Sequence, residues 1–433
     1  MRANHRGFDA SEEMLIRAER VIPLGSQTFS KSKTQYPRGV SPYFVTHGDG
    51  CRVFDPDGNS YIDFVCSLGA VTLGHRDPDV NAAVAAQLDR GVLFSLPSPL
   101  ETEVAELLVE RVPCAEMVRF GKNGSDATAG CLRLARAHTR RDLVAVCGYH
   151  GWQDWYIGST SRDLGVPEAT KSLTKSFRYN DIDSLRALFA AHPGEIAAVI
   201  MEPIAFDDPT ENFLSQVKET CHAHGALLIF DEVVTGLRLA PGSAQEMLGV
   251  TPDLAALGKG LANGFPLSAV VGRSDVMHLM EEIFFSFTMG GEAISLAAAK
   301  ATLEKTDTAD VLTHLHDVGD HLKRGVIQRI ADAGLTDALA LIGHPSWTLF
   351  QFRDAGGVDA MALKTLFMQE CQRRGVLNVG LHFVSYAHTR GDIDEALGAY
   401  DEVFAVLAQA VRAGSAEKYL DCAPLVPLFK VRN

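Results

Sequence analysis

The segment ALLIFDE, residues 226–232, is an apolar run that ends in two carboxylates. A second segment, DLAALGKG at residues 253–260, is also apolar and ends in Lys259 between two glycines. Short apolar runs of this kind are typical of strands that are buried on both faces of a sheet. The two segments therefore predict neighbouring strands that bring Asp231 and Lys259 to the same edge of one sheet.

Helix-like and strand-like patterns alternate from about residue 77 to residue 271. Such alternation predicts a mostly parallel sheet with helices on both faces, in which ligands bind at the carboxyl ends of the strands. Asp231 and Lys259 both lie at such ends. The predicted helices are 77–90, 100–112, 125–138, 181–192 and 211–224, and the predicted strands are 116–120, 143–147, 196–201, 226–230, 254–257 and 267–271.

A chain of 433 residues is too long for one ordinary core, so we expect at least two domains. The predicted fold class is α/β, with a large domain at 66–305 and a smaller α/β domain formed by 306–433 together with the N-terminal segment 1–65. The remaining predicted helices are 9–22, 292–305, 308–333, 358–374 and 392–412, and the remaining predicted strands are 45–46, 51–55, 60–65, 347–352 and 376–384.

Charge and composition argue against several classes of protein. The formal net charge of −14 disfavours nucleic acid or an anionic membrane as the main partner. The N-terminus has no apolar signal segment and no apolar run is long enough to cross a bilayer, so we expect a cytoplasmic protein. None of the eight cysteines has C-x-x-C spacing, which disfavours a metal ribbon or a redox motif.

Lys259 is the first candidate catalytic residue. Burial lowers the pKa of an amine, and only a neutral amine attacks a carbonyl, so this position suits a Schiff-base lysine. The alternatives are a lysine in a plain glycine-rich turn and a phosphate-binding lysine. A Walker A motif is excluded, because Asp253 stands where that motif has its first glycine and Gly260 where it has Ser or Thr.

Asp231 is the second candidate. A carboxylate at a buried strand end needs a cationic partner or strong hydrogen-bond donors. The pyridine nitrogen of pyridoxal 5′-phosphate (PLP) is such a partner, because a nearby carboxylate keeps it protonated and able to accept electrons. A helix cap or an ion pair with Arg238 is the alternative. Together, Lys259 and Asp231 predict a PLP site.

Two glycine turns that precede helices are candidate phosphate sites. In KNGSDA, residues 122–127, the backbone N–H groups of a helix start and the hydroxyl of Ser125 could bind phosphate. In FSFTMGGE, residues 285–292, Thr288 could do the same. Simple N-capping is the alternative for both turns.

The segment GYHGW, residues 148–152, follows a predicted strand and therefore reaches the same sheet edge. Tyr149 could stack on a planar cofactor or could serve in packing. A metal role for His150 lacks a second ligand at helical or hairpin spacing, so no metal is predicted.

In combination these segments resemble the class III, fold-type I PLP-dependent aminotransferases, and the nearest branch is glutamate-1-semialdehyde aminomutase. The resemblance covers roughly residues 20–305 and continues more weakly to about 412. The matching segments are YIDF and SLGAVTLGH (within 61–75), NGSDATAGCLRLAR (123–136), GYHGW (148–152), IMEPI (200–204), GALLIFDEVVTGLR (225–238) and PDLAALGKGLANGFPLSAVVG (252–272).

The resemblance implies roles for individual residues. Lys259 matches the lysine that links covalently to the cofactor and then moves a proton, and Asp231 matches the partner of the pyridine nitrogen. Gly124 and Ser125 match the phosphate cradle. The other implied cofactor contacts are Tyr149 on one face of the ring, Val233 on the opposite face, His150, Glu202 near Asp231, and Thr288, which reaches the phosphate of the neighbouring subunit in a homodimer.

Two departures from the aminomutase branch bear on the substrate. That branch has Gly-Thr-x-Ser-Gly-Asn where this chain has Phe287–Glu292, and its N-terminal loop carries an arginine that is absent from residues 25–31 here. Glu292 is therefore a candidate substrate residue, and Lys31 or Lys33 could still hold an anionic group of the substrate. A neutral acceptor bearing hydroxyl or amino groups, such as a keto- or aldehydo-sugar derivative, is expected.

We predict a PLP-dependent aminotransferase that moves an amino group from an amino-acid donor to a carbonyl acceptor. The alternative within the fold is an aminomutase, which keeps both half-reactions on one substrate. A PLP-fold binding protein without turnover is disfavoured because Lys259 and Asp231 are both present. A nucleotide-binding α/β enzyme is disfavoured because the chain has no G-x-G-x-x-G or Walker pattern.

Overall fold

A computed structural model describes residues 6–205 and 207–427 of the chain. Contacts within this part divide it into two compact units. The large unit comprises residues 70–72 and 78–312, and the small unit comprises residues 6–69, 73–77 and 313–427.

The described residues form strands and α-helices in both units. The strands are β1 (His47–Asp49), β2 (Arg52–Phe54), β3 (Ser60–Asp63), β4 (Met117–Gly121), β5 (Leu143–Cys147), β6 (Thr174–Ser176), β7 (Ile196–Met201), β8 (Leu227–Glu232), β9 (Leu254–Leu257), β10 (Ser268–Gly272), β11 (Leu339–His344), β12 (Trp347–Phe352), β13 (Val376–Leu377) and β14 (Leu381–Phe383). The α-helices are α1 (Asp9–Glu19), α2 (Cys66–Gly69), α3 (Pro78–Leu88), α4 (Pro99–Arg111), α5 (Gly124–Thr139), α6 (Asp154–Ile157), α7 (Glu168–Lys171), α8 (Ile182–Ala191), α9 (Phe213–Ala223), α10 (Ser243–Leu248), α11 (Ser274–Met277), α12 (Ala293–Thr308), α13 (Val311–Asp332), α14 (Ala360–Arg373) and α15 (Arg390–Ala413).

The described part of the large unit contains a seven-stranded sheet with the strand order β4-β10-β9-β8-β7-β5-β6. The pairs from β9 through β8, β7 and β5 to β6 are parallel, whereas β10 is antiparallel to both β4 and β9. β7, β8 and β9 are buried along their whole length, which explains the apolar sequences of β7 and β9 and of β8 up to Phe230. The predicted α/β class with a mostly parallel sheet is confirmed.

Local sequence fixes where the helices of the large unit begin. Ser98 precedes α4 and forms a reciprocal capping box with Glu101. Asn123 precedes α5, where its side chain accepts the N–H of Asp126 at 3.2 Å and Asp126 accepts the N–H of Asn123 at 3.0 Å. These bonds satisfy N–H groups that the helix itself leaves unpaired. The cap of α5 is thus Asn123, so the hydroxyl of Ser125 is not used for capping.

The small unit contains a left-handed turn directly after β3. Cys66, Ser67 and Leu68 have φ values of 44°, 51° and 61°, a region that residues with a side chain avoid. Asp63 anchors the turn, because its Oδ1 accepts the N–H groups of Val65 at 2.9 Å and Cys66 at 3.0 Å. The two sheets of the described small unit are β1-β2-β3-β13 and β11-β12-β14.

Sequence reasoning misplaced or missed several short strands. The strand predicted at 45–46 lies instead at His47–Asp49 (β1), so that prediction is wrong by two residues. The sequence pattern predicts neither β6 nor β11. β6 consists of Thr, Lys and Ser and carries no apolar pattern, and the sequence of β11 ends in Gly343 and His344, which are uncommon in strands.

Two histidines lie in the core of the small unit. The side chains of His382 and His388 have no exposed surface. The hydroxyls of Thr348 and Tyr400 lie 2.8 and 2.7 Å from the two ring nitrogens of His382. Burial lowers the pKa of His382 to about 3 and that of His388 to about 4. Both rings are therefore neutral in the folded protein near neutral pH.

We expect the small unit to lose stability in mild acid. An unfolded histidine has a pKa near 6.5, so below that pH the unfolded chain takes up protons that folded His382 and His388 refuse. The free energy of unfolding is therefore highest above pH 6.5 and falls as the pH drops below that value. At pH 4.5 each histidine lowers it by about 3 kcal/mol. Denaturant titrations at pH 7.5 and 4.5 measure the free energy of unfolding at each pH. The difference between the two values should be smaller in the His388→Asn variant than in the parent protein. Equal pH dependence in both proteins would contradict this assignment.

Candidate active site

Asp231 and Lys259 lie at the carboxyl ends of adjacent strands, as the sequence predicts. Asp231 is the fifth residue of β8, and Lys259 follows β9 by two residues. The two strands are parallel, with Asp231 opposite Ala256 in the register. Lys259 has a left-handed φ of 44°, and strained backbone of this kind in a non-glycine residue is concentrated at functional sites.

The amine of Lys259 lies in an environment that favours its neutral form. Burial is the main cause and lowers the pKa of Lys259, while the carboxylates of Glu202 and Asp231 act in the opposite direction. A neutral amine has a free electron pair with which it attacks a carbonyl carbon. Lys259 therefore has the placement and the chemistry of a covalent catalyst.

The carboxylate of Asp231 is held on both oxygens. Oδ2 lies 2.8 Å from Nδ1 of His150, and Oδ1 accepts the N–H of Val233 at 3.1 Å. Asp231 is 5% exposed, so these donors offset the cost of burying its charge. The sequence left open an ion pair of Asp231 with Arg238, but the described side-chain partner of Asp231 is His150. Arg238 donates to the hydroxyl of Thr72 at 3.1 Å.

Glu202 is the second acid of the site and follows β7 directly. Burial and the nearby charge of Asp231 raise the pKa of Glu202 to about 7. Its Oε2 accepts the backbone N–H of Tyr149 at 3.0 Å. Glu202 therefore exchanges a proton near neutral pH.

The start of α5 forms the third part of the site. The backbone N–H groups of Gly124 and Ser125 belong to the first helical turn and have no partner among the described residues. A Cβ on Gly124 would lie 2.7 Å from Val233, and one on Gly258 would lie 3.3 Å from the same side chain. Val233 thus packs against both glycines and holds the helix start next to the strand end that carries Lys259.

The segment at residues 148–152 connects these parts. The N–H of Tyr149 bonds Glu202, the ring of His150 bonds Asp231, and the N–H of Trp152 donates to Oγ of Ser125 at 3.2 Å. Its two glycines have no room for a side chain. A Cβ on Gly148 would lie 2.4 Å from Glu202, and one on Gly151 would lie 2.2 Å from Oγ of Ser125.

These groups fit PLP on four counts. The unpaired N–H groups of Gly124 and Ser125, at the start of a helix, suit a phosphate. The buried carboxylate of Asp231 suits a protonated ring nitrogen, and Lys259 suits the aldehyde. Tyr149 is 50% exposed and therefore has ring surface available for stacking on a flat heterocycle.

The other predicted site residues have no described contact with these groups. Thr288 is exposed in the turn before α12 and has no described contact with the residues above. Glu292 caps α12 and lies 3.0 Å from the ammonium of Lys122. Lys31 belongs to the small unit, where its ammonium donates to Oγ of Ser67 at 3.2 Å. The roles assigned to these three residues stay predictions.

The sequence analysis does not predict two sets of contacts around the site. The ion pair of Lys122 with Glu292 joins the turn before α5 to the start of α12, and no spacing rule connects residues so far apart in the chain. Glu232, next to Asp231, is fully buried and accepts the N–H of Ala244 at 2.6 Å and the side chain of Gln245 at 2.9 Å. The pair of carboxylates at the end of a predicted strand is the sequence pattern that points to Glu232 as a buried acid. Its hydrogen bonds hold the start of α10 in place.

Clusters of His, Cys, Asp or Glu that could hold a metal ion are absent from the described residues. In the same part of the chain, no helix combines the length and the apolar composition needed to cross a membrane.

Comparison with known proteins agrees with this geometry. Residues 35–334 match the family model described as aminotransferase class-III. The glutamate-1-semialdehyde 2,1-aminomutase of Desulforamulus reducens is 34% identical over 430 residues, which cover 93% of this chain and 99% of that protein. The aminomutase of the same name from Roseiflexus castenholzii is 36% identical over 434 residues, with coverage of 93% and 99%.

Solved structures with the same fold include PLP enzymes. The PLP-bound FumI protein of Sphingopyxis sp. MTA144 superposes with a TM-score of 0.88 at 30% identity and covers 96% of this chain and 99% of its own. An omega-transaminase from Sphaerobacter thermophilus has a TM-score of 0.83 at 30% identity, with coverage of 93% and 98%. The chain therefore belongs to the class III aminotransferases and is a PLP-dependent enzyme of fold type I.

Proposed function

We propose that this enzyme transfers an amino group from an amino-acid donor to a separate carbonyl acceptor. The observation that carries the proposal is the placement of a desolvated amine, Lys259, beside a buried and doubly hydrogen-bonded carboxylate, Asp231. Amino transfer requires a base that removes a proton from the carbon bearing the amine and returns it nearby. Lys259 is the residue with the position and the free electron pair for that step.

The chain's own residues divide the remaining work. When bound, PLP supplies an electron sink for the carbon from which the proton is removed. Gly124 and Ser125 would bind the phosphate through backbone N–H groups. Asp231 would keep the ring nitrogen protonated, and Tyr149, which is 50% exposed, would offer its ring for stacking. Glu202 stands ready to hold or release a proton near neutral pH because its pKa is about 7.

The test uses two separated half-reactions. Enzyme loaded with PLP is mixed with single amino-acid donors, and conversion of the bound cofactor to its amino form is followed by absorbance. The amino form is then isolated and given carbonyl acceptors, among them 2-oxo acids, aldehydes and keto- or aldehydo-sugar derivatives. We expect one equivalent of amine to leave the donor and appear on the acceptor. Failure of every donor to convert the cofactor would overturn the proposal.

An aminomutase is the second candidate, because relatives of that name match 93% of this chain at 34–36% identity. The two activities differ in the fate of nitrogen. With a ¹⁵N-labelled substrate a mutase retains the label on the same carbon skeleton, whereas a transaminase passes it to the unlabelled acceptor. Lys31 is proposed as a contact for an anionic group of the substrate, since its ammonium has a hydroxyl and no carboxylate as its described partner.

We further infer that the active form is a homodimer in which Thr288 contacts the phosphate in the neighbouring subunit. The exposed turn around Thr288 is unusually apolar: Phe284 is 82% exposed, Phe287 37% and Met289 52%. The exposed segment 92–96 adjoins it, because the carbonyl of Val92 accepts the N–H of Ala293 at 2.8 Å. Several exposed apolar side chains in neighbouring segments favour a protein partner, and a second copy would also bring Thr288 to its predicted site.

The Thr288→Ala variant should lose PLP faster than the parent enzyme. Removal of one hydrogen bond to a charged phosphate costs about 1.5–3 kcal/mol, so we expect PLP affinity to fall by about tenfold or more while the dimer persists. Heterodimers of a Lys259→Ala chain with a Thr288→Ala chain show whether Thr288 contacts the phosphate in its own subunit or in the neighbouring one. If Thr288 acts on the neighbour, the subunit that keeps Lys259 retains normal PLP affinity. A monomer with full activity would contradict both statements.

A further inference from the structure

Residues 284–292, the Thr288 turn, carry the threonine that is proposed to reach the neighbouring subunit. The first four of these residues belong to no helix or strand. The N–H of Gly290 donates to the carbonyl of Phe287 at 3.0 Å and closes a tight turn around Thr288. An exposed segment with so few backbone hydrogen bonds of its own keeps one conformation when side chains from other elements hold its two ends.

Two arginines hold the start of the Thr288 turn. Nη1 of Arg133, on α5, donates to the carbonyl of Phe284 at 2.7 Å. Nη2 of Arg119, on β4, donates to the carbonyl of Phe285 at 3.3 Å. The ring of Phe285 also packs on α5, because a Cβ on Gly130 would lie 3.0 Å from it. The start of the turn is thus tied to β4 and α5, the two elements that flank the glycine turn proposed to bind phosphate.

An ion pair holds the other end of the Thr288 turn. The ammonium of Lys122 lies 3.0 Å from Oε2 of Glu292, and the two side chains are 17% and 13% exposed. Glu292 also caps α12, because its Oε1 accepts the N–H of Ile294 and its Oε2 accepts the hydroxyl of Ser295, both at 2.6 Å. Burial acts to raise the pKa of Glu292, but the bonds from Ser295 and Lys122 outweigh it and lower the pKa. The carboxylate is therefore charged near neutral pH.

Lys122 belongs to the glycine turn itself. It stands one residue before the cap Asn123, and its backbone N–H donates to Oδ2 of Asp126 at 2.9 Å within the cap of α5. Its backbone is therefore part of the proposed phosphate site, while its side chain reaches the end of the Thr288 turn. One short segment thus fixes the N–H groups for PLP in its own subunit and the turn that would reach PLP in the neighbouring subunit.

We propose that Lys122 and Glu292 form a positioning pair that holds the Thr288 turn in the conformation in which Thr288 reaches the phosphate of the neighbouring subunit. The pair touches neither the cofactor nor the substrate, and it acts only through Thr288. A turn that is already held loses less conformational entropy when the phosphate binds. This inference rests on the proposed homodimer, and it gives Glu292 a role other than the predicted contact with substrate.

The principal variant is Lys122→Met, which removes the ammonium and leaves the cap of α12 in place. We expect its affinity for PLP to fall about three- to tenfold, because the pair acts on the phosphate contact through Thr288, and we expect Lys122→Arg to restore most of the loss. Lys300→Met is the matched control, since Lys300 lies on α12 and pairs with Glu103 at 2.7 Å, and it should bind PLP like the parent. Affinity is measured on the resting protein without substrate, and thermal melts report folding.

The double variant Lys122→Met/Thr288→Ala separates positioning from direct attraction between the ammonium and the phosphate. If the pair acts through Thr288, the double variant binds PLP as weakly as Thr288→Ala alone. Losses that multiply would show direct attraction and overturn the proposal. The proposal is also overturned if Lys122→Met folds and keeps the parent affinity, or if Lys300→Met weakens PLP binding to the same extent.

Heterodimers show in which subunit the defect lies, with covalently bound PLP as the readout. When one chain carries both Lys122→Met and Lys259→Ala, the site that keeps Lys259 receives Thr288 from the altered chain, and its PLP affinity should fall. When the two substitutions are on different chains, that site receives Thr288 from an intact turn, and its affinity should equal that of the parent. The reverse pattern contradicts the proposal.

The same measurements separate this inference from the homodimer on which it rests. If Thr288→Ala leaves PLP affinity unchanged, the contact of Thr288 with the neighbouring phosphate is wrong, and the positioning role falls with it. If Thr288→Ala weakens PLP binding and Lys122→Met does not, the homodimer contact stands and the positioning role alone is refuted.

Discussion

The Lys259→Ala variant is expected to bind PLP without any covalent bond and to lose about a thousandfold or more of its turnover. The reason is that the amine at the end of β9 has two tasks, attack on the aldehyde and proton transfer, and proton transfer alone contributes roughly a hundred- to ten-thousandfold. The backbone N–H groups at the start of α5 remain, so the variant should still retain the cofactor through its phosphate.

Borohydride reduction followed by peptide mass spectrometry measures the bond directly. The parent protein should carry the reduced adduct on the peptide that contains Lys259, and the variant should carry none. Lys171→Ala is a matched control, because that lysine lies on the surface of the same unit in ion pairs with Glu168 and Asp163. An adduct that persists in Lys259→Ala would show that another lysine performs the chemistry.

The Asp231→Asn variant should keep its fold and much of its PLP but lose about a hundred- to ten-thousandfold of kcat. The amide carries no charge and cannot keep the ring nitrogen protonated. The carboxylate of Asp231 accepts hydrogen bonds from His150 and from the N–H of Val233. In the variant, one of these two donors would face the NH₂ group of the amide, which cannot accept its hydrogen bond. Steady-state kinetics corrected for PLP content, together with the absorbance of bound PLP, measure the effect.

Glu232→Gln provides the control for Asp231→Asn, because Glu232 is the adjacent and equally buried acid. Its carboxylate bonds Thr235 and the start of α10, so the change should lower the melting temperature. Turnover per PLP-loaded molecule should stay close to that of the parent. Equal kinetic losses in the two variants would mean that Asp231 has no specific role in the chemistry.

Much of the large unit could be predicted from the sequence. β7, β8 and β9 are buried on both faces, and burial on both faces leaves a nearly continuous apolar sequence. Residues at or just beyond the carboxyl end of such a strand reach the ligand edge of the sheet, so Asp231 and Lys259 could be placed there from the sequence.

The contacts between distant segments could not be predicted in the same way. The bonds from residues 149, 150 and 152 to Glu202, Asp231 and Ser125 depend on where three strand ends meet. A sequence motif identifies the residue types, but it does not show which partners their hydrogen bonds reach. His150 was accordingly assigned to cofactor binding, although its described polar side-chain contact is with Asp231.

The left-handed turn at residues 66–68 has a consequence for engineering a more heat-resistant enzyme. Each residue with a side chain costs about 1–2 kcal/mol in this conformation, whereas the greater freedom of glycine in the unfolded chain costs about 0.5–1 kcal/mol. Ser67→Gly should therefore raise the melting temperature, and more than Leu68→Gly, because Leu68 also packs against a hydrophobic cluster. The same change removes the hydroxyl that binds Lys31, so a gain in heat resistance would leave the ammonium proposed to hold an anionic substrate group without its described partner.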